Sequence, residues 1–151
     1  MIKKVILFLI INFSALALGS MFTSEGVISS WYQNLPKAPW TPPGWLFGVA
    51  WTIIMICFSV YMAILLNKKS TPKIIALFCI QWVLNVSWNP IFFYFQQVLL
   101  GVIIILLLTV VVHIFLFYYR KVLGWNTIFI LPYAIWLWIA TSLNMYIYLN
   151  I

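Results

Sequence analysis

The stretch VLLGVIIILLLTVVVHIFLFYY, residues 98–119, holds no charged side chain and a single histidine, His113. Its reading decides the fold. In hydrocarbon there is no water to bond the backbone, so a spanning segment must satisfy its own amides within one helix of about 20 predominantly apolar residues. Working outward, four more runs meet that condition: residues 5–22, 44–66 and 74–95 before it, and 127–149 after it. No segment between them is long enough for a sixth. The expected fold is an all-α membrane protein, a five-transmembrane-helix bundle forming one domain over residues 1–151. Composition agrees: 6% of the chain is charged, against roughly 25% in soluble domains, and mean hydropathy is +1.14.

The charges give orientation. Lys3, Lys4, Lys68, Lys69, Lys73, Arg120 and Lys121 fall on one side of a five-span chain, whereas Lys37 and the only acid, Glu25, fall on the other. The positive-inside rule assigns the seven to the cytoplasm. The N-terminus is then cytoplasmic, and the C-terminus and the first loop, residues 23–43, lie outside; a bacterial cell (inner) membrane is the expected location. Small basic clusters between apolar runs, with no basic stripe on a folded face, argue against nucleic acid as a partner despite the net charge of +7. The first run has a rival reading as a signal peptide, from Lys3-Lys4, the apolar stretch and Ala15-Leu16-Ala17. Cleavage there predicts a mature N-terminus near Leu18.

Few residues are equipped for chemistry. No Asp or Glu lies in a span, so ion-coupled transport lacks the intramembrane carboxylate it generally uses. His113 alone is a poor metal or haem ligand without a second donor nearby, and no metal site is expected; the plainer reading is a histidine satisfied within the bundle or by a carbonyl. No Ser-His-acid set or glycine-rich phosphate loop is present. Cys57 and Cys79 lie in apolar runs and read as buried apolar side chains.

What remains is amides and aromatics at helical spacing. Gln81, Asn85, Trp88 and Phe92 recur on one face of the third span. An amide in hydrocarbon is costly unless bonded, so this face points into the bundle, either as interhelical glue or as the wall of a pocket. The fifth span repeats the pattern with Tyr133, Trp136, Ala140 and Asn144, where Ala140 leaves room for a neighbouring helix or a flat ligand. Trp51, Met55 and Phe58 form a third face, and Gly44-x-x-x-Gly48 is a weak sign of close helix contact. The first loop holds Trp31, Tyr32, Trp40 and four prolines, with Pro39-Trp40-Thr41-Pro42-Pro43 a stiff approach to the second span. It forms either a lid over the bundle or an interfacial aromatic belt.

Together, Trp31-Tyr32, Leu35, Lys37, Trp40-Thr41-Pro42-Pro43, Phe47 and Trp51 resemble the signature of the translocator protein family, the tryptophan-rich sensory proteins (TspO/MBR). The likeness continues in Gln81, Asn85, Trp88 and Phe92-Phe93, then Pro132-Tyr133, Trp136, Ala140-Thr141 and Leu143-Asn144, and covers essentially the whole chain. Ala38-Pro39 departs from the usual spacing before Trp40. The resemblance implies a homodimer of five-helix bundles whose pocket beneath the first loop takes porphyrins and other hydrophobic ligands. The implied ligand-binding residues are Tyr32, Trp51, Asn85, Trp88, Trp136, Ala140 and Asn144. Porphyrin enters as ligand, with no cofactor required and membrane lipid as the surrounding medium. In bacterial members light-dependent porphyrin breakdown involves indoles at the positions of Trp51 and Trp136, which would be the catalytic pair if that reaction occurs. The C-terminal sterol pattern of animal relatives needs a basic residue after its tyrosine; Tyr146-Ile147-Tyr148-Leu149-Asn150-Ile151 has none, so cholesterol is not the expected ligand. Three functions follow: tetrapyrrole binding with a transport, sensing or regulatory role, light-dependent degradation, and passive carriage of other hydrophobic molecules. Asn85 and Asn144 are expected to orient the ligand, and Lys37 either meets its propionates or anchors the loop at the interface.

Overall fold

A computed structural model describes residues 1–151. Its elements are α1 (Ile2–Gly26), α2 (Ser30–Gln33), α3 (Gly44–Lys68), α4 (Pro72–Asn89) continuing as a π-helical turn (Pro90–Tyr94), α5 (Val98–Tyr118), α6 (Arg120–Leu123), a 3₁₀ stretch (Gly124–Ile130) and α7 (Leu131–Asn150). Five helices are long and apolar enough to cross a membrane, and the protein is an integral membrane protein.

The helix ends follow from local chemistry. Thr71 caps α4, its Oγ1 accepting from the Ile74 amide, and Pro72 occupies the first turn, where its missing N–H costs nothing. At the far end Pro90 cannot donate into the α-helical ladder. The helix widens into a π turn, and the Phe95 amide donates to the Pro90 carbonyl at 2.9 Å. Gln96 then takes a positive φ of 57° and reverses the chain into α5. The last span starts later as α-helix than residue 127: Gly124, at φ 57°, turns the corner after α6, residues 124–130 wind as 3₁₀, and Pro132 opens the α-helix.

The spans close into a ring. α1 packs on α3 and α4, α4 on α5, α5 on α7, and α7 with its 3₁₀ lead-in returns to α3. Lys4 Nζ donates to Asn67 Oδ1 at 2.9 Å and the Lys73 ammonium stands 4.6 Å above the Tyr118 ring, which gathers the seven basic residues at one end, here the basic end. The first loop and Glu25 lie at the other, the loop end.

Three side chains bridge the ring across its interior. Tyr61 Oη donates to the Phe115 carbonyl (2.8 Å), Tyr133 Oη to Gln81 Oε1 (2.9 Å), and Trp88 Nε1 to Asn144 Oδ1 (3.1 Å). The basic half is solid. Phe58 lies 5.2–6.1 Å, centroid to centroid, from Tyr61, Phe78, Phe115 and Tyr133, and all five are buried. Three polar contacts between helices are paired as an apolar medium demands: Asn12 Nδ2 donates to Ser59 Oγ (2.9 Å), Trp82 Nε1 to the Ile11 carbonyl (3.1 Å) and Thr23 Oγ1 to Asn89 Oδ1 (2.6 Å).

Two expectations are corrected. Cys79 is exposed on the outer surface and Cys57 is only half-buried. Turning Gln81 inward places a residue two positions earlier about 200° round the helix, on the side facing lipid. Gly44 and Gly48 face open space, so neither marks a close helix contact.

Candidate functional site

Packing loosens partway toward the loop end. On α3, Ile54, Met55 and Phe58 are buried, whereas Trp51 and Phe47, one and two turns nearer the loop, are half-buried. On α4, Phe78 and Gln81 are buried while Asn85 and Trp88 are half-buried, and on α7 Tyr133, Trp136 and Leu137 are buried while Ala140 is half-buried. On each helix the change falls on the inward face, and on α4 with its π turn and on α7 Phe92, Phe93, Asn144 and Ile147 are buried again further on, so the less filled layer lies between the basic half and that buried group, within the loop half.

The first loop lies across that half as a lid. Ser29 caps α2 by accepting from the Tyr32 amide. Trp31 and Tyr32 pack on Phe92 at 5.5 and 6.4 Å, and Tyr32 on Phe93 at 5.4 Å. Further on, Trp40 Nε1 donates to Ser142 Oγ of α7 at 3.0 Å, its ring edge-on to Tyr146. Trp31 and Tyr32 therefore hold the lid on the π turn, and burial raises the Tyr32 phenol above its ordinary pKa. Lys37 is used within the lid: its ammonium donates to the Tyr32 carbonyl at 2.6 Å, reaches the Gln33 and Leu35 carbonyls at 3.4 Å, and stands 4.4 Å above the Tyr32 ring. A lysine spends its three donors this way when it caps a helix C-terminus.

The residues singled out in the sequence fall into two clusters. In one, Trp88 stacks on Phe92 at 4.9 Å and holds Asn144, with Tyr32 on the far side of Phe92 and Ala140 one turn from Asn144. In the other, Trp51 meets Tyr133 edge-on at 5.9 Å and Trp136 meets Phe47 edge-on at 5.3 Å. Asn85 stands on α4 between Gln81, tied to the second cluster through Tyr133, and Trp88 of the first.

The amides there are not equivalent. Gln81 accepts from Tyr133, Asn89 from Thr23, and Asn144 from Trp88 while donating to the Ala140 carbonyl at 2.8 Å. The Asn85 side chain makes no hydrogen bond within the protein and is not fully enclosed; only its backbone carbonyl is engaged, by Asn89. Asn144 is thus committed to Trp88, and Asn85 is the amide free to bond a guest.

Sequence reading did not find the Trp40–Ser142 clasp, the Phe47–Trp136 contact or the use of Phe93 as the lid's seat. The signal available was Pro90, which forces the widened turn that carries Phe92 and Phe93. A concavity of about 970 Å³ lies elsewhere, on the outside between α5 and α7, and a cleft of about 210 Å³ between α3 and α7 reaches Trp136. Both are open grooves on the bundle's exterior, so volume alone does not locate the site. His113 is not inside the bundle; it is half-buried on the α5–α7 face, where Nδ1 bonds the Thr109 carbonyl at 2.7 Å.

The sequence matches the TspO/MBR family over residues 6–149. It is 34% identical to the tryptophan-rich protein TspO of Chlorobaculum tepidum, over 83% of this chain and 82% of that one. Against the tryptophan-rich protein TspO of Archaeoglobus fulgidus identity is 30%, covering 87% and 86% of the two chains, and against the translocator protein of Ovis aries it is 28%, covering 76% and 70%.

Proposed function

Because the chain belongs to the TspO/MBR family, we propose that it binds a tetrapyrrole such as protoporphyrin IX within the membrane, beneath the lid and between the two aromatic clusters. The observation that carries this reading is the half-buried inward face of Trp51, Asn85, Trp88 and Ala140, set directly above a solid aromatic floor. A flat macrocycle gains from stacking between indoles and phenyl rings, and a mostly apolar slot needs only a few polar groups to fix its orientation. Asn85 supplies that bond, and Asn144 holds Trp88 in place. Lys37 belongs to the lid and leaves the propionates to water and headgroups at the mouth. The basic end faces the cytoplasm of a bacterial cell, and the functional unit is a homodimer. Binding serves transport, sensing or regulation.

The test is a protoporphyrin IX titration of the protein in detergent beside its thermal unfolding. Asn85→Leu is expected to weaken binding by ~1 to 3 kcal/mol, the worth of a hydrogen bond made in a dry site, with little change in Tm. A large fall in Tm with normal binding by the remaining folded fraction would make Asn85 a packing residue. A second reading, light-dependent porphyrin breakdown, is favoured by Trp51 and Trp136 standing in one cluster. Loss of the porphyrin absorbance under light supports it; a stable red-shifted complex supports binding alone.

A further inference from the structure

The groove between α5 and α7 lies outside the proposed tetrapyrrole site, and three observations bear on what fills it. It is long: its walls run along α5 from Ile103 through Val110 to Tyr118, with Trp138 contributed by α7, or ~22 Å at about 1.5 Å per residue. That exceeds half of the ~30 Å hydrocarbon layer and suits an extended chain better than a compact ligand.

Its floor asks for no hydrogen bonds. Thr109 Oγ1 donates to the Ile105 carbonyl at 2.7 Å and meets Thr141 Oγ1 at 3.2 Å. His113 Nδ1 donates to the Thr109 carbonyl, and His113 Nε2 accepts from Trp138 Nε1 at 3.0 Å. Apart from the Tyr118 hydroxyl at the basic end, each side-chain polar group on the lining already has a protein partner, so along the rest of the groove an occupant that brought donors or acceptors would find none free.

One end of the groove is cationic. The Lys73 ammonium lies over Tyr118, the last groove residue of α5, and Arg120 and Lys121 follow in α6. No negative group of this chain reaches them. The only acid is Glu25, at the loop end. The counter-charge for the basic end must come from outside. A second copy seated in parallel would bring seven more basic residues and no acid to that end, so it does not supply the counter-charge.

We propose that this groove seats an acyl chain of an anionic phospholipid whose headgroup is held by Lys73 with Arg120 and Lys121. The lipid belongs to the leaflet at the basic end. Burial of the chain along α5 supplies the apolar contact, and the phosphate, on a headgroup without a compensating ammonium, neutralises the lysine that now rests on an aromatic ring.

The experiment delipidates the protein in neutral detergent and measures retained lipid by native mass spectrometry, with phosphatidylglycerol and phosphatidylcholine of identical acyl chains in competition. Wild type is expected to retain one phosphatidylglycerol in preference to phosphatidylcholine. Lys73→Gln should lower phosphatidylglycerol retention about fivefold, the usual effect of one basic residue at an anionic surface, and leave phosphatidylcholine unchanged. Val110→Trp, which fills the groove midway, should lower retention of both. Equal retention of the two lipids by wild type overturns the proposal without recourse to any variant. So does full retention in folded Val110→Trp, which would mean a headgroup site alone, or a dimer mass that forms as lipid is removed and is lost in Val110→Trp, which would make the groove a seat for a second copy.

Discussion

Gln81 and Asn85 stand one turn apart on the same face of α4, yet one is spent and the other free. The difference is Tyr133, 52 positions along the chain from Gln81, whose hydroxyl reaches the first amide and not the second. Helical spacing made the shared face legible; it held no information on which amide would be claimed, because the claimant comes from another helix. Tyr133→Phe should therefore destabilise the protein by ~1 to 3 kcal/mol, since it strands a buried amide oxygen, and should show as a lower Tm with porphyrin affinity nearly unchanged. The two tryptophans of the second cluster make a different prediction. Trp51 and Trp136 each contact one aromatic edge-on, and neither indole nitrogen bonds another residue, so replacement by Phe keeps the ring contact and removes the oxidisable indole. Trp51→Phe and Trp136→Phe are each expected to retain protoporphyrin binding while slowing its loss under illumination, followed by absorbance against a lipid-only control with and without oxygen. If wild type bleaches no faster than the control, the light-driven reading is withdrawn.

Among the elements, the five spans were legible from length and apolarity, and the departures have local causes. Proline at 90 converts the end of the third span into a π turn, and glycine at 124 breaks the start of the fifth. The lid's docking was less legible, since stiffness in Pro39-Trp40-Thr41-Pro42-Pro43 says nothing of where Trp40 will bond. The closest approach in this region is that of Gly26 to Phe93: a Cβ built at Gly26 would overlap the ring and its own Cβ. Phe93 in turn carries Tyr32. Gly26→Ala should then cost about 1–3 kcal/mol, the usual penalty of overpacking, and speed amide exchange in α2, where hydrogen-exchange mass spectrometry resolves the lid from the spans. Lys37→Met is expected to speed exchange over the same residues through a separate cause, the loss of the cap on the Tyr32, Gln33 and Leu35 carbonyls, while leaving α1 and α4 unchanged.

At the scale of the whole molecule, the order of helices around the ring was not legible. In water an apolar stripe marks the inward face of a helix; in lipid both sides are apolar, and only the sparse amides, hydroxyls and glycines distinguish them. Orientation rests on the seven basic residues opposing Lys37. A phosphatase fused after Ile151 should be active outside a bacterial inner membrane and one fused at Lys69 inactive; the opposite pair of activities reverses the assignment. The solid basic half, where Phe58, Tyr61, Phe115 and Tyr133 interlock, sets a limit on any flow through the bundle. On the proposed reading, the ligand site is a vessel with a floor and one mouth. A guest admitted beneath the lid has no onward path along the axis, so it must depart by the side it entered or escape sideways into the bilayer. Net movement between the two aqueous compartments would then require Phe58 and its neighbours to unstack in every cycle, whereas registering the guest's presence requires only that the lid report whether the vessel is full.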